Sequence, residues 1–235
     1  MIAEINISTF DQYTLEYDNW FEQHASQYQS EILALKKAIP KNKIGIEIGV
    51  GTGRFAQPLN IKFGVESSQN MLQFSEQRGI NVLKAVAEKL PIENETYDFA
   101  LMVTTVCFLN NIPKAFSEVH RILKSKGEII IGLIDKYSEL GNKYEQEKST
   151  NKFYKGAHFH STEEITLLLK KAGFKNFQYW QTLTNTQSEK NIPCACCTPS
   201  YFPMLPIENK ERPKSGFGEG SFVVIKAQKK NLKNK

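Results

Sequence analysis

Residues 44–55 read Ile-Gly-Ile-Glu-Ile-Gly-Val-Gly-Thr-Gly-Arg-Phe, a short apolar run that breaks into a cluster of glycines. An apolar run of this length, bounded by polar residues and then by glycine, is the pattern of a strand buried on both faces. The glycines after it let the backbone turn sharply and approach a ligand closely, because no side chain intervenes. A helix is expected from about Arg54, with free N–H groups at its start. A plain strand-to-helix turn would use the same residues, so the segment alone fits either a structural or a binding role.

The rest of the chain supplies context. Further strands are expected at 61–65, 81–84, 97–103, 128–134, 174–184 and 221–227. Helices are expected over 67–78, closed by Gly79, and over 112–123, with Pro113 in the first turn where a missing N–H costs nothing. Ser161 and Glu164 fit a capping box that opens a helix ending at Ala172-Gly173. Before Pro40, Tyr13, Tyr17, Trp20, Phe21, Tyr28, Ile32, Leu33 and Leu35 recur every three or four positions and give one or two amphipathic helices. The polar stretch 141–155 reads as a mobile excursion, and 186–220 as a long loop carrying prolines and three cysteines. Strand and helix alternate, which predicts an α/β doubly wound sheet, mostly parallel, with helices on both faces. The last two strands have only a loop between them and are expected to be antiparallel neighbours. The layout is thus an N-terminal helical cap (1–40), an α/β core (41–185), the loop (186–220), a final strand (221–228) and a basic tail (229–235).

Composition excludes several classes. The longest apolar stretches are strand-length, well short of the ~20 residues of a membrane helix. The N-terminus carries acids early and no apolar segment of the secretory kind, so a cytoplasmic protein is expected. Net charge is +5, partly from Lys226, Lys229, Lys230, Lys233 and Lys235 near the end. No arginine-aromatic stripe accompanies these lysines, and no specific nucleic-acid partner is expected. Cys107, Cys194, Cys196 and Cys197 do not form a disulfide framework. The three crowded thiols leave open a soft metal or metalloid site, a redox-sensitive loop, or chance.

The glycine loop gains meaning from Glu66, which ends the second strand. A carboxylate there can accept both hydroxyl protons of a ribose, pointing to an adenosine-containing cofactor. A dinucleotide turn wants a small residue where this chain has Arg54, and Gly53 comes one place early. Glu47 stands directly before the loop, where an acid repels a pyrophosphate and attracts an amino group or a sulfonium.

With those residues the sequence resembles the class I S-adenosylmethionine-dependent methyltransferases, of the broad small-molecule type related to ubiquinone-biosynthesis enzymes. The likeness runs from Lys43 to Gly132 and more loosely over the whole chain. It implies a seven-stranded Rossmann-like sheet whose final strand is antiparallel. It also implies a cofactor site built from Glu47, Gly49, Val50, Gly51 and Gly53, with Glu66 on the ribose, Ser67 beside it and Met71 on the adenine. Ala87 and Glu88 would meet the adenine edge, although Val86 stands where the family has Asp. The fourth motif resembles Tyr97-Asp98-Phe99 running into Thr104-Thr105, and Arg121 to Gly127 resembles a further signature. In such enzymes an N-terminal helix closes over the cofactor, which offers Tyr13, Tyr17 and Trp20 as lid residues; core packing is the other reading of that stripe.

The implied activity is in-line transfer of the methyl of S-adenosyl-L-methionine to a small-molecule acceptor, without a membrane partner. After the fourth strand there is no Asn/Asp-Pro-Pro-Tyr loop, which argues against nucleobase and protein-amide substrates. Asp135 is the one well-placed acid for a metal and reads as structural, so no metal is expected. No catalytic base is assigned: His158 and His160 are turn residues or, alternatively, bases. Arg54 would form a surface ion pair or meet a carboxylate of the acceptor. Two alternatives remain, a non-catalytic S-adenosylmethionine-binding regulatory module and a thiol-assisted, arsenite-like metalloid methyltransferase. A nicotinamide oxidoreductase is opposed by Arg54 and Glu47, and oligomeric state is open.

Overall fold

The computed structural model describes residues 7, 9–184 and 210–230. Cys194, Cys196, Cys197 and the end of the basic tail, with Lys233 and Lys235, lie outside the described residues. Residues 9–12 are helical, and after a turn at Tyr13 come α1 (Thr14–Gln23) and α2 (Ala25–Ala38), parted at His24 and stopped ahead of Pro40. Next come β1 (Gly45–Ile48), β2 (Phe63–Glu66), α3 (Gln69–Gln77), β3 (Asn81–Lys84) and β4 (Tyr97–Val103). A 3-10 turn at Val106–Phe108 leads to α4 (Ile112–Ile122), β5 (Leu123–Ile134) and α5 (Glu139–Glu147). The chain closes with α6 (Thr162–Lys171), β6 (Phe174–Thr182), β7 (Lys214–Ser215) and β8 (Phe222–Lys229).

The strands form one sheet in the order β3-β2-β1-β4-β5-β8-β6-β7. The first five pair in parallel, and β8 runs antiparallel between β5 and β6. The doubly wound sheet with an antiparallel last strand is therefore as expected, but it has eight strands rather than seven. The addition, β7, pairs only Trp180 with Ser215 and Gln181 with Lys214 inside the segment read as loop. Two residues are too few to show a periodicity.

Each face of the sheet packs on helices. Ala100 and Met102 of β4 join Ile129 and Ile131 of β5 under Phe116 and Val119 of α4 and Leu169 of α6. Leu101 and Val103 point the other way, onto Phe21 of α1 and Leu35 and Ala38 of α2. This alternation is the period-2 geometry of a strand covered on both sides. The glycine inside β1 has a packing reason: a Cβ on Gly45 would lie 2.1 Å from the Phe99 ring. The capping box of α6 is formed, with Ser161 Oγ accepting from Glu164 N at 3.2 Å and Glu164 Oε2 accepting from Ser161 N at 3.1 Å.

Three local expectations differ. Residues 51–60 form a series of turns and no helix. Pro58 explains this: a helix opening at Arg54 would place it in the interior, where it lacks an N–H and clashes with the preceding turn. Residues 141–155 are not an unstructured excursion, since α5 occupies the first half, capped where Ser138 Oγ accepts from Gly141 N at 3.0 Å. Strand β5 begins at Leu123 instead of 128, through an irregularity with Lys126 at φ 62°.

Candidate active site

Strand order reverses between β1 and β4, since β2 and β3 continue one way and β5 the other. Ligands of open α/β sheets sit in the crevice that this reversal opens at the carboxyl ends of the strands. Here the crevice is a cavity of about 640 Å³. Gly49 and Gly51 line it after β1, Glu66, Ser67 and Met71 after β2, Ala87 and Glu88 beyond β3, and Thr104 after β4. Tyr13, Tyr17 and Trp20 line it from the N-terminal helices. Of the residues singled out in the sequence, Glu47, Val50 and Gly53 do not line the cavity. They lie beneath it: a Cβ on Gly64 would stand 2.7 Å from Val50 Cγ1, and one on Gly53 2.6 Å from Ile80 Cδ1.

The loop after β1 is tied to β2 by hydrogen bonds. Gly49 N and Val50 N both donate to Val65 O, at 2.8 and 3.0 Å, and Gly51 N donates to Glu66 Oε2 at 2.8 Å. Gly51 has φ 54°, and a Cβ there would point at the Tyr17 hydroxyl, 3.7 Å away, and at Met71 Sδ, 3.9 Å away. The left-handed backbone favours glycine there, and its missing side chain keeps the cavity open. Glu66 Oε1 also accepts from Ser67 N and Ser68 N, at 2.8 and 2.9 Å. Burial raises its pKa, against the pull of these three backbone donors. Ser67 Oγ adds a longer contact to Oε1 at 3.4 Å, whereas Oε2 accepts from Gly51 N alone and has room for a further donor.

Glu47 is fully buried, and its Oε2 has no hydrogen-bond partner among the described residues. Burial pushes its pKa well up; the Ala56 N–H opposes this and the nearby Glu66 carboxylate adds to it. Glu88 Oε1 accepts from Asn110 N at 3.0 Å and Asn111 N at 3.2 Å, so this carboxylate also fixes the loop before α4. Thr104 adopts φ 48° and donates its N–H to Gly132 O at 2.8 Å. A β-branched residue in the left-handed region costs on the order of 1–3 kcal/mol and is typical of a site whose surroundings enforce it.

Ion pairs dock the N-terminal helices. Asp18 accepts from Arg54 Nε and Nη2, at 3.0 and 2.6 Å, and from Arg78 Nη2 at 2.8 Å. Burial alone would raise its pKa, but the two guanidiniums hold it at about 2. Arg54 also pairs with Glu22, and Tyr28 donates to the Arg54 carbonyl. Arg54 is therefore engaged by α1 and does not line the cavity. On the far side Lys152 bridges to Glu16 and lies 4.0 Å from the Tyr13 ring centre.

The sequence reading missed the far wall, made by Tyr144, Phe153 and Tyr154. Phe153 contacts Phe10, Tyr13 and Tyr17 with ring centres 5.8–6.3 Å apart. Three aromatic residues in an otherwise polar stretch were the available signal. Cys107 lines the cavity, buried, with Sγ 3.2 Å from Thr104 O; burial moves its thiol to about 12. His160 also lines it, its Nδ1 3.4 Å from Glu164 Oε2; burial lowers its pKa and Glu164 opposes that. His158 only spans the turn, donating its N–H to Cys107 O. Asp135 does not line the cavity and spends its oxygens on Tyr137 N, Thr162 N and Thr162 Oγ1.

A reversed sheet order, a glycine loop and a terminal acid on β2 meet at this one cavity. A family model of a methyltransferase domain matches residues 46–131. An S-adenosylmethionine-dependent methyltransferase from Thermotoga maritima, described as a possible histamine N-methyltransferase, is 45% identical, covers 95% of this chain and 99% of its own, and superposes with a TM-score of 0.85. An uncharacterized protein of Methanocaldococcus jannaschii is 44% identical over 95% of the chain and 100% of its own length. An uncharacterized protein of Mycobacterium tuberculosis is 31% identical over 68% of the chain and 57% of its own length. The chain belongs to the S-adenosylmethionine-dependent methyltransferase family and is an enzyme of that class. Among the described residues no helix is long and apolar enough to cross a membrane.

Proposed function

We propose that the chain transfers the methyl group of S-adenosylmethionine to a nitrogen of a small molecule, held in the same cavity. The observation that carries this reading is the cavity itself. It runs from Gly51 and Glu66 to Cys107, Tyr154 and His160, and aromatic side chains line the N-terminal and far sides. A space of about 640 Å³ suits a donor and a small acceptor better than a folded macromolecule.

The residues fit such a donor. Glu66 offers Oε2 to a ribose hydroxyl, with Ser67 beside it, and Met71, Ala87 and Glu88 border the adenine. Gly49, Val50, Gly51 and Gly53 shape the floor under the methionine end. The unpartnered oxygen of Glu47 suits a nearby cation, since a buried carboxylate otherwise gives up its charge. Thr104 stands at the methyl-transfer point, and Tyr13 and Trp20 cover it. Bound there, S-adenosylmethionine supplies a sulfonium methyl: the acceptor lone pair forms the new N–C bond as the C–S bond breaks onto sulfur.

The chain's own work is to align the two reactants and exclude water. His160 lines the cavity, and burial lowers its pKa against the pull of Glu164, which suits it to take the proton that the methylated nitrogen releases. A nitrogen acceptor also agrees with the description of the Thermotoga relative. The test is formation of S-adenosylhomocysteine from S-adenosylmethionine over a panel of small amines, including histamine, with phenols, thiols and carboxylates as controls. Turnover with amines is expected. Turnover only with arsenite, or only with a protein or RNA, would overturn the reading.

A further inference from the structure

The chain holds 30 lysines and arginines against 25 aspartates and glutamates, yet among the described residues none of those cations lines the cavity. Its charged lining is Glu16, Glu31, Glu66 and Glu88. Three of these have duties already assigned: Glu16 pairs with Lys152, Glu66 binds the glycine loop, and Glu88 fixes the loop before α4. Glu31 has none. It is 3% exposed, and its one hydrogen bond among the described residues is from Gln27 Nε2 to Oε1 at 3.1 Å. The second oxygen has no partner there, and among the described residues no ion pair engages the carboxyl.

A carboxyl buried at a cavity wall, with one amide partner and no counter-charge, is costly when ionised. The surroundings name what would relieve it. Tyr17, Trp20, Tyr144 and Tyr154 present ring surface to the same cavity, and ring faces attract ammonium groups, as the Lys152 ammonium over the Tyr13 and Phe153 rings illustrates. Tyr17, Glu31 and Glu66 line this one cavity, so Glu31 borders the same space as the proposed donor end.

We infer that Glu31 is the anionic anchor for a positively charged group of the acceptor, a protonated or quaternary amine enclosed by the aromatic rings of α1 and the far wall. This rests on the reading above that donor and acceptor share the cavity. The nitrogen that receives the methyl must be neutral to offer a lone pair. The anchored ammonium is therefore a second group, a few bonds away. The acceptor class is a small molecule with one cationic and one neutral nitrogen.

The test uses calorimetry on the full chain loaded with S-adenosylhomocysteine. The probes are 2-phenylethylamine, 2-phenylethanol and phenylacetate, one skeleton carrying a positive, a neutral and a negative end. The amine should bind at least about tenfold more tightly than the alcohol, the lower end for a hydrogen bond to a charged group, and the acid weakest. Glu31→Gln should abolish that preference and leave S-adenosylhomocysteine affinity within about twofold. Failure of the wild type to bind S-adenosylhomocysteine at all would overturn the functional reading itself. With that binding intact, an amine no better than the alcohol, or absent binding of all three probes, would overturn the anchor. So would a Glu31→Gln variant that loses S-adenosylhomocysteine instead, which would assign Glu31 to the donor. The comparison of probes in the wild type stands even if the variant fails to fold.

Discussion

A carboxyl held for a ligand should weaken the protein that lacks the ligand, and Glu31 makes that measurable. Its pKa is raised by burial from 4.5 to about 7, with only the Gln27 hydrogen bond opposing. Between those values the folded protein keeps the proton and the unfolded chain has released it. Stability then falls as pH rises, because the folded state binds more protons. The slope is about 1.4 kcal/mol per pH unit, and the gap integrates to about 3 kcal/mol, closer to 2 once cavity water screens the carboxyl. Glu31→Gln removes this loss and keeps the shape and the amide contact. Urea unfolding of the ligand-free protein from pH 4 to 8.5 is the assay. The variant-minus-wild-type difference should be flat below about pH 4.5, climb in the variant's favour, and level off above about pH 7. Titrations of Glu47 and Glu66 are common to both proteins and cancel in the difference. Parallel curves would refute the reasoning, as would a variant that loses stability at high pH. An excess of 2-phenylethylamine with S-adenosylhomocysteine should return the wild type's deficit, since a bound cation favours the ionised form.

The other expectations concern the donor end and the N-terminal helices. Gly51→Val should abolish S-adenosylhomocysteine binding by calorimetry, because its side chain would enter the cavity toward Tyr17 and Met71. Glu66→Ala should weaken that binding by about 1.5–3 kcal/mol, the worth of a charge-assisted hydrogen bond, and should loosen the loop by freeing the Gly51 N–H. Asp18→Asn should release α1, seen as faster hydrogen exchange over residues 14–23, with the β4–β5 core unchanged. The depressed pKa of Asp18 means its ion pairs contribute fully above its ordinary value of 3.8 and are lost as pH falls through about 2, so the clamp should persist in mildly acidic buffer. Cys107, with its thiol near 12, should resist alkylation at pH 8 until the protein unfolds, as read by mapping labelled peptides.

What was legible in the sequence follows from how locally each feature is encoded. The parallel centre of the sheet is written as apolar runs, because β1, β4 and β5 are covered on both faces. The donor end is equally local. It uses strand ends, where a glycine cluster and a following acid sit within about twenty residues of each other. Pro58 also lay in plain view and should have cancelled the helix expected at Arg54. The acceptor end was hidden for a different reason. Tyr144, Phe153 and Tyr154 belong to a stretch whose polarity hides the fold, and Tyr144 meets Tyr154 only after α5 forms. Glu31 shares a helical face with Ala34, Leu35 and Ala38, all wholly buried, so its position was predictable. What it faces was not, because that depends on where α2 packs against the sheet.

The Asp18 cluster joins these two ends. Arg54 and Arg78 flank the glycine loop, Arg78 through a contact with the Thr52 carbonyl and Arg54 through its pairing with Asp18 and Glu22. Asp18 engages both at once. The same carboxylate that docks α1 on the loop thus holds two arginines that do not line the glutamate-bordered cavity. A donor that carries a sulfonium needs both conditions together, since an undocked α1 would admit water just when a freed arginine repelled the ligand. Docking of the N-terminal helix and the negative character of the site are therefore one device. A chain that lost Asp18 would lose enclosure and charge complementarity in a single step.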